Sequence, residues 1–361
     1  MVFSWFLACS GGEEDSGDLA WGPLGGDSAT NGDSTGDTSS GDTGTYSGAG
    51  FPKNMLMPPE GLIQGETFTI PVDRGLAWEW DSTFSIDGRA RPQLFQQSDG
   101  TLVMTVQLVS EGKSLFALTS TNGSAWDRSS VAFLEPELFA PLNCGNKLED
   151  AYVTYLPDAT FLLIAEGSYD PELDGDPEWT TWCRATSATG ETFSPDVSGY
   201  AFEGGDSDVG HPGDPGGILL SDYTSLVYYN SEETHDLGGI RALIGGAPDW
   251  DFTAVDEADV LIEPDVEPAP VYLEGGGVRV YYTLGEDGGI GEVDFEDGVT
   301  ASGDMLALAN PDADCSEVGA VCYRDPVVVH LVDDRIAMYF TMITSDSNGY
   351  SYAIQRAWAT D

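Results

Sequence analysis

The chain has 361 residues, 41% of them hydrophobic, so it is long enough to bury a large core. Its 62 Asp and Glu residues against 13 Lys and Arg residues give a formal net charge of −49 at pH 7. This charge argues against nucleic acid as a partner, because phosphates need a basic surface, and against anionic membranes except through a lipid. It also suits a soluble protein in a salty or extracellular setting.

The chain begins with a short apolar run that ends at Cys9. We interpret residues 1–9 as the remnant of a bacterial lipoprotein signal with Cys9 as the lipidated residue; the alternative is an apolar N-terminus with an unremarkable cysteine. Residues 10–50 are mostly Gly, Ser, Thr and Asp, which cannot offset the entropy of ordering and predict a disordered tether. We therefore expect a protein of the bacterial cell envelope, lipid-anchored or secreted.

Five segments of the remaining chain align with one another without a gap. Each starts at a polar residue, has a turn residue eight positions later and an apolar strand-like run at the thirteenth position. A repeat of this kind is one supersecondary unit that cannot bury its apolar faces alone. The starting residues of the five segments are Arg91, Asp150, Asp214, Glu267 and Asp325.

Each unit contains short runs rich in Val, Tyr, Leu and Thr, bounded by Gly, Asp and Pro, which predict four antiparallel strands. Four such strands repeated around an axis predict an all-β fold, a five-bladed β-propeller over residues 51–361. The last unit stops one strand short, whereas residues 76–81 precede the first unit without a partner. We expect this N-terminal strand to close the last blade and to hide two sheet edges in a monomer.

Four cysteines remain besides Cys9, and an even number in an exported protein predicts disulfide bonds. Three pairings are open, of which we favour Cys315–Cys322, a local loop, and Cys144–Cys183, within the second unit. Metal binding by these cysteines is the weaker interpretation, because no CxxC or Cys/His spacing occurs.

A shared register in a radial repeat brings the five starting residues to equivalent radii near the axis. Carboxylates packed there repel one another, so we expect a partner arginine, a bound cation or a raised pKa. Arg91 either balances this charge or recognises an anionic ligand through its guanidinium fork. The acids can alternatively cap strand ends. A second aligned ring follows sixteen positions later, formed by Gln107, Glu166, Asn230, Thr283 and Thr341.

Three starting acids are followed by proline, as Asp214-Pro215, Glu267-Pro268 and Asp325-Pro326, and then by a turn and a second strand rich in aromatic residues. This pattern resembles the five-bladed propeller superfamily of glycoside hydrolases that includes arabinanases, β-xylosidases, invertases and levansucrases. The Ser-x-x-Gly-x-x-aromatic turns at 120–126 and 187–193 locally resemble the Asp-box turns of sialidases.

The resemblance implies a carboxylate base from the first blade, a tuning aspartate from the second and a glutamic acid donor from the third. Asp150 fits the second position, but Arg91 stands at the first and no glutamate at the third. We therefore take Asp150, Glu166 and Asp214 as the catalytic candidates. The candidate ligand-binding residues are Arg91, His211, Glu267, Asp325 and, as a sugar-stacking platform, Trp179.

No cofactor is expected, and the metal is unknown. The acidic residues 170–176 make a calcium ion a candidate, although their spacing does not match an EF-hand. Two hypotheses follow. The first is a surface-anchored propeller that binds glycan or another small polar ligand with an incomplete catalytic set. The second is a glycoside hydrolase that cleaves polysaccharide with paired carboxylates at the channel.

Overall fold

The computed structural model describes residues 50–60, 70–110, 113–142, 144–156, 158, 160–168, 180–202, 211–233, 236–246, 250, 252–255, 261–262, 266–284, 289–312, 317–331, 333–346 and 349–360. The chain divides into two compact units, Met1–Tyr46 and Ser47–Asp361. The first unit, with Cys9 and most of the expected tether, lies outside the described residues.

The second unit is a five-bladed β-propeller, as the repeat predicts, and each blade is one antiparallel sheet. Blade 1 contains β3 (Arg89–Gln96), β4 (Leu102–Leu108), β5 (Leu115–Ser120) and β6 (Asp127–Leu134). Blade 2 contains β7 (Lys147–Tyr155), β8 (Phe161–Ser168), β9 (Thr180–Ser187) and β10 (Ser194–Phe202). Blade 3 contains β11 (His211–Leu219), β12 (Ser225–Glu233), β13 (Asp236–Gly245) and β14 (Thr253–Ala254).

Blade 4 contains β15 (Val266–Tyr272), β16 (Val278–Thr283), β17 (Ile290–Phe295) and β18 (Ala301–Leu308). Blade 5 contains β19 (Val321–His330), β20 (Ile336–Asp346), β21 (Gly349–Thr360), β1 (Ala77–Trp80) and β2 (Ile86–Asp87). In this blade β1 pairs antiparallel with β21, from Ala77 opposite Thr360 to Trp80 opposite Ala357. The predicted closure by an N-terminal strand is therefore confirmed.

The innermost strand of each blade connects the two faces of the propeller. It begins at the face that we call the mouth face and ends at a tight turn on the opposite, turn face. In blades 1, 2, 3 and 5 an aspartate carboxylate accepts the backbone N–H two residues later, which fixes this turn. These contacts are Asp99 to Thr101 (2.9 Å), Asp158 to Thr160 (3.1 Å), Asp222 to Thr224 (3.1 Å) and Asp333 to Arg335 (3.4 Å).

The second strands form the core between blades. Both faces of a blade are covered by neighbouring blades, so these strands are apolar without alternation. Tyr228 packs at 5.6 Å, between ring centroids, on Phe295 of blade 4, whereas the adjacent Tyr229 packs at 5.4 Å on Trp182 of blade 2. Two adjacent tyrosines of one strand thus pack blade 3 against both blade 4 and blade 2.

The loops after the third strands insert an aromatic residue between blades. Ser120 Oγ accepts the N–H of Gly123, which has φ of 66°, and Trp126 then contacts Tyr339 of blade 5 at 5.6 Å. The turn of residues 187–193 repeats this arrangement, with its own serine accepting the N–H of Gly190. The two turns that are alike in sequence therefore also share this hydrogen bond in the structure.

Residues 50–60, which we call the N-terminal strap, cross the turn face beneath blades 3 and 4. The N–H of Phe51 donates to the carbonyl of Asp297, and the N–H of Ser221 donates to the carbonyl of Met55. Phe51 and Leu56 are buried against the core of these blades. The strap is therefore an integral part of the propeller.

The predicted disulfide Cys144–Cys183 is present in blade 2. Cys322 is disulfide-bonded as well, but Cys315 lies outside the described residues. The one helical segment in the described ranges is a 3-10 turn at Pro136–Leu142, beside Cys144. No helix in the described part of the chain is long and apolar enough to cross a membrane.

Candidate functional site

The five starting residues lie at β-bulges within the inner strands, where the pairing register shifts, and not at the first residue of each strand. Four of them have positive φ: 54° for Arg91, 42° for Asp214, 59° for Glu267 and 50° for Asp325. This conformation costs a non-glycine residue about 1–2 kcal/mol. Proline follows each of the four, and because proline has no N–H, the bulge forfeits no strand hydrogen bond there.

The second aligned ring holds the bulges in place from the neighbouring blade. In three cases, a side-chain oxygen at the end of a second strand accepts the N–H of the next blade's starting residue. These contacts are Asp214 N to Glu166 Oε2 (2.6 Å), Asp325 N to Thr283 Oγ1 (3.0 Å) and Arg91 N to Thr341 Oγ1 (2.9 Å). Asn230 occupies the same register, and its buried Oδ1 has no partner among the described residues.

Arg91 lies among three acids on the mouth face. Its Nη1 is 2.5 Å from Glu149 Oε2, 3.0 Å from Asp150 Oδ2 and 3.8 Å from Asp214 Oδ1. The side chain of Arg91 is 28% exposed, whereas those of the three acids are 4–13% exposed. The expected counter-charge is therefore present, and it remains accessible to solvent.

The acids around Arg91 differ in the direction in which their pKa values are shifted. Oxygens of Asp150, Glu166 and Asp214 lie within 4.8 Å of one another. Burial, followed by repulsion from neighbouring carboxylates, raises the pKa of Glu166 and Asp214 well above the ordinary value. Burial also acts on Glu149, but Arg91 and then Lys147 outweigh it and lower the pKa of Glu149 to about 2. Arg91 and Lys147 therefore favour the ionised form of Glu149, whereas burial favours the protonated forms of Glu166 and Asp214.

A second acid pair faces the first across the axis. The N–H of Asp325 donates to Glu267 Oε2 at 3.1 Å, and Thr283 Oγ1 donates to the same oxygen. Burial and then Glu267 raise the pKa of Asp325 well above its usual value. The pKa of Glu267 is lowered despite its burial, through Asp325 and the positive charge of Arg324. The surroundings thus favour the protonated form of Asp325 and the ionised form of Glu267.

Together these residues surround the start of the central channel, and we call them the channel mouth. Its members are Arg91, Lys147, Glu149, Asp150, Glu166, Asp214, Glu267, Thr283, Arg324, Asp325, Thr341 and Tyr352. The three oxygens of Asp150, Glu166 and Asp214 can hold a small cation, but the Nη1 of Arg91 already supplies positive charge to Asp150 and Asp214.

The alignment of the five repeated segments did not predict four members of the mouth: Lys147, Glu149, Arg324 and Tyr352. Glu149 and Arg324 directly precede aligned starting residues, and this adjacency was the available signal. At a bulge two residues oppose one, so both can reach the axis. Tyr352 lies close enough for its pKa, raised mainly by burial, to respond to Arg324, Asp325 and Arg91.

Two expected site residues cannot be placed. Trp179, the proposed stacking platform, and residues 170–176, the calcium candidate, lie outside the described residues. His211 opens β11, opposite Glu232, but its side chain is outside the described part of the structure. The stacking, calcium and histidine assignments therefore stay predictions.

Beyond the bulges, the five inner strands enclose a cavity of about 110 Å³. Its lining includes Gln93, Tyr152, Thr154 and Gly216 and is mostly apolar. This volume accommodates about three or four waters. The charged groups thus concentrate at the mouth face, and the rest of the channel is narrow.

The chain resembles solved carbohydrate-active enzymes in structure. A xylan β-1,4-xylosidase from Bacillus halodurans superposes with a TM-score of 0.54 at 10% identity, covering 83% of this chain and 54% of the xylosidase. An arabinanase from Bacillus subtilis superposes with a TM-score of 0.50 at 12% identity, covering 78% of this chain and 95% of the arabinanase. A glycosyl hydrolase from Bacteroides ovatus superposes with a TM-score of 0.50 at 13% identity, covering 86% of this chain and 94% of the hydrolase. The fold is shared with glycoside hydrolases.

The likeness is one of fold alone. The chain spans about half the length of the xylosidase that it matches. A scan against protein-family models finds no match, and a search of curated protein sequences finds none either. The argument for function therefore rests on the residues of the channel mouth.

Proposed function

We propose that the protein binds carbohydrate at the channel mouth and does not cleave it. The shared fold supports a carbohydrate-related role, since the xylosidase, the arabinanase and the glycosyl hydrolase have the same architecture. Fold alone does not decide between binding and catalysis, so the distinction has to come from the acids and their partners.

The observation that carries the proposal is the position of Arg91. A glycosidase needs two available carboxyl groups with the sugar between them, about 5–5.5 Å apart in retaining and 6.5–9.5 Å in inverting enzymes. Here Arg91 Nη1 contacts Glu149 and Asp150 and approaches Asp214. Oxygens of Asp150 and Asp214 are within 4.8 Å, which leaves little room for a reacting sugar.

Backbone strain at the mouth supports a role for these side chains beyond stability. Strained conformations persist where the surrounding structure over-determines them, and they cluster at functional sites. Positive φ occurs at Arg91, Asp214, Glu267 and Asp325, although glycine adopts this conformation with less strain. Charged residues at four such positions present a fixed set of donors and acceptors, which suits a polyhydroxylated ligand.

A glycan array paired with a chromogenic glycoside panel tests this proposal on the full chain. We expect binding without turnover, and a loss of about tenfold in affinity when Glu267 is changed to Gln, because a charged acceptor is removed. Asp333→Asn, at an exposed turn on the opposite face, is the matched control and should bind normally. Absence of binding to any glycan would overturn the proposal.

Hydrolysis is the second candidate, favoured by the split in pKa among the acids. Glu149, with a pKa of about 2, is a base, and Glu166, whose pKa is raised by burial, is an acid, the arrangement that glycosidases use. If any glycoside is cleaved, Glu149→Gln and Glu166→Gln should each lower kcat about a hundredfold or more. Retained activity in Asp150→Ala would exclude the family-derived assignment of Asp150.

The location stays part of the proposal. The N-terminal sequence supports attachment to the bacterial envelope through a lipid on Cys9. Mass spectrometry of the N-terminal peptide from the native source tests this, since a lipidated cysteine adds the mass of its acyl chains. A peptide that continues through an unmodified Cys9 would contradict the anchor.

A further inference from the structure

Positive charge is scarce in this chain and concentrates at the mouth. Only 13 of 361 residues are Lys or Arg, yet Arg91, Lys147 and Arg324 belong to the channel mouth. Arg91 and Arg324 come from neighbouring blades. Arg324 lies opposite Thr341 in the ladder of blade 5, and the N–H of Arg91 donates to Oγ1 of the same threonine. The two arginines therefore extend from adjoining backbone positions at the mouth.

Arg91 uses one edge of its guanidinium group and leaves the other available. All of its side-chain contacts with Glu149, Asp150 and Asp214 are made by Nη1. Among the described residues its side-chain hydrogen bonds come from Nη1 and none from Nε or Nη2, and the side chain is 28% exposed. The Nε–Nη2 edge has the geometry that pairs with a carboxylate through two parallel hydrogen bonds.

Arg324 has no ion pair within 4 Å in the described part of the chain. Its Nε is buried without an acceptor there, an arrangement that costs free energy until a ligand or water supplies one. Residues directly opposite in an antiparallel pair share a face of the sheet, so Arg324 lies on the same face as Thr341, whose Oγ1 accepts the N–H of Arg91. The charge of Arg324 also acts on the pKa of Glu267 and, with that of Arg91, on the pKa of Tyr352.

We propose that the channel mouth selects sugars that carry a carboxylate, that is, uronic acids, and that Arg91 and Arg324 bind the carboxylate. The inference rests on the proposed carbohydrate binding and adds its ligand class. Burial raises the pKa of Glu166, Asp214 and Asp325, which favours their protonated forms, and a protonated carboxyl group can donate to an anion.

The net charge of −49 does not exclude an anionic ligand. At physiological ionic strength, charges more than about 8 Å away are largely screened, so the distant acidic surface contributes little at the mouth. Contacts inside a partly buried site are screened much less. Binding should therefore strengthen when salt is raised from very low concentration to physiological concentration, as long-range repulsion is removed.

Calorimetric titration of the full chain with matched pairs of methyl glycosides tests the inference. The pairs are methyl galacturonide with methyl galactoside, and methyl glucuronide with methyl glucoside, which differ only in the carboxylate. We expect the acidic member of at least one pair to bind about tenfold more tightly than its neutral partner. Equal affinity within both pairs would overturn the inference and leave carbohydrate binding intact.

Two charge-matched variants separate a contact from a general charge effect. Arg324→Gln should abolish the preference for the acidic sugar while the fold is kept, because no described residue forms an ion pair with Arg324 that the change would break. Arg335→Gln removes the same charge from an exposed turn on the opposite face and should leave the preference unchanged. Preference that survives in Arg324→Gln, or is lost equally in both variants, would refute the assignment. If all four glycosides fail to bind while the array shows glycan binding, the inference is refuted and the proposed function stands.

Discussion

Replacing Arg91 by methionine removes the positive charge that keeps Glu149 ionised in a buried place. The pKa of Glu149 is about 2 in the folded protein, against an ordinary value of 4.5. At 1.36 kcal/mol per pKa unit, a difference of this size is worth about 3 kcal/mol. Because the side chain of Glu149 is only 10% exposed, solvent screening reduces this figure little. We expect Arg91→Met to lose most of it at pH 7.

The pH dependence distinguishes this effect from simple loss of packing. A carboxylate with a lowered pKa stabilises the fold above its unfolded value of 4.5, and the contribution disappears as pH falls through 2. The difference between wild type and Arg91→Met in urea unfolding should therefore be about 3 kcal/mol at pH 7 and should shrink steadily below pH 4.5.

The control is Arg335→Met, which removes an exposed ion pair with Asp333 and should cost less than about 1 kcal/mol at any pH. A destabilisation by Arg91→Met that stays the same from pH 7 to pH 3 would refute the reasoning. It would mean that the aliphatic stem of Arg91 matters and its charge does not.

Three further predictions concern the scaffold. Arg279→Met removes the partner of the buried Glu292 (3.3 Å) and of Asp294 (2.7 Å) and should cost about 3–5 kcal/mol, whereas replacing Arg279 and Glu292 together by methionine should recover part of this loss, since only Asp294 is then unpaired; additive losses in urea unfolding would contradict this. Replacing Cys144 and Cys183 together by alanine opens a loop with a sequence separation of 39 residues and should cost about 4 kcal/mol in urea unfolding against oxidised wild type, but little against reduced wild type. Gly123→Ala should destabilise the protein by about 1–3 kcal/mol, because φ is 66° and the new Cβ would lie 2.7 Å from a side chain of blade 5; an unchanged melting temperature would exclude strain at this turn.

The architecture was predictable because the repeat is regular in its spacing and chemistry. Turn residues eight positions after each start, such as Asp158 and Asp222, accept backbone N–H groups that the turn itself presents. The missing last strand and the unpaired segment before the first unit together predicted the closing pair of β1 and β21. The turns depend on the chemistry of neighbouring residues, and the closing pair depends on the number of strands. The sequence alone is enough to predict both.

The mouth was only partly predictable, because a bulge alters which neighbours face the axis. Alignment found Asp150 but not Glu149, and Asp325 but not Arg324, since the residue beside the aligned one reaches the axis only when the ladder is interrupted. The positive φ of the starting residues was also hidden, because none of them is a glycine. Proline after the starting residue is the one sequence signal that accompanies this conformation.

The N-terminal strap and the channel mouth lie on opposite faces of the propeller. Gly50 enters the propeller on the turn face, with the next residue hydrogen-bonded to the carbonyl of Asp297, and the channel mouth opens on the other side. A partner or surface that holds the chain at Gly50 therefore leaves the channel mouth open to ligands.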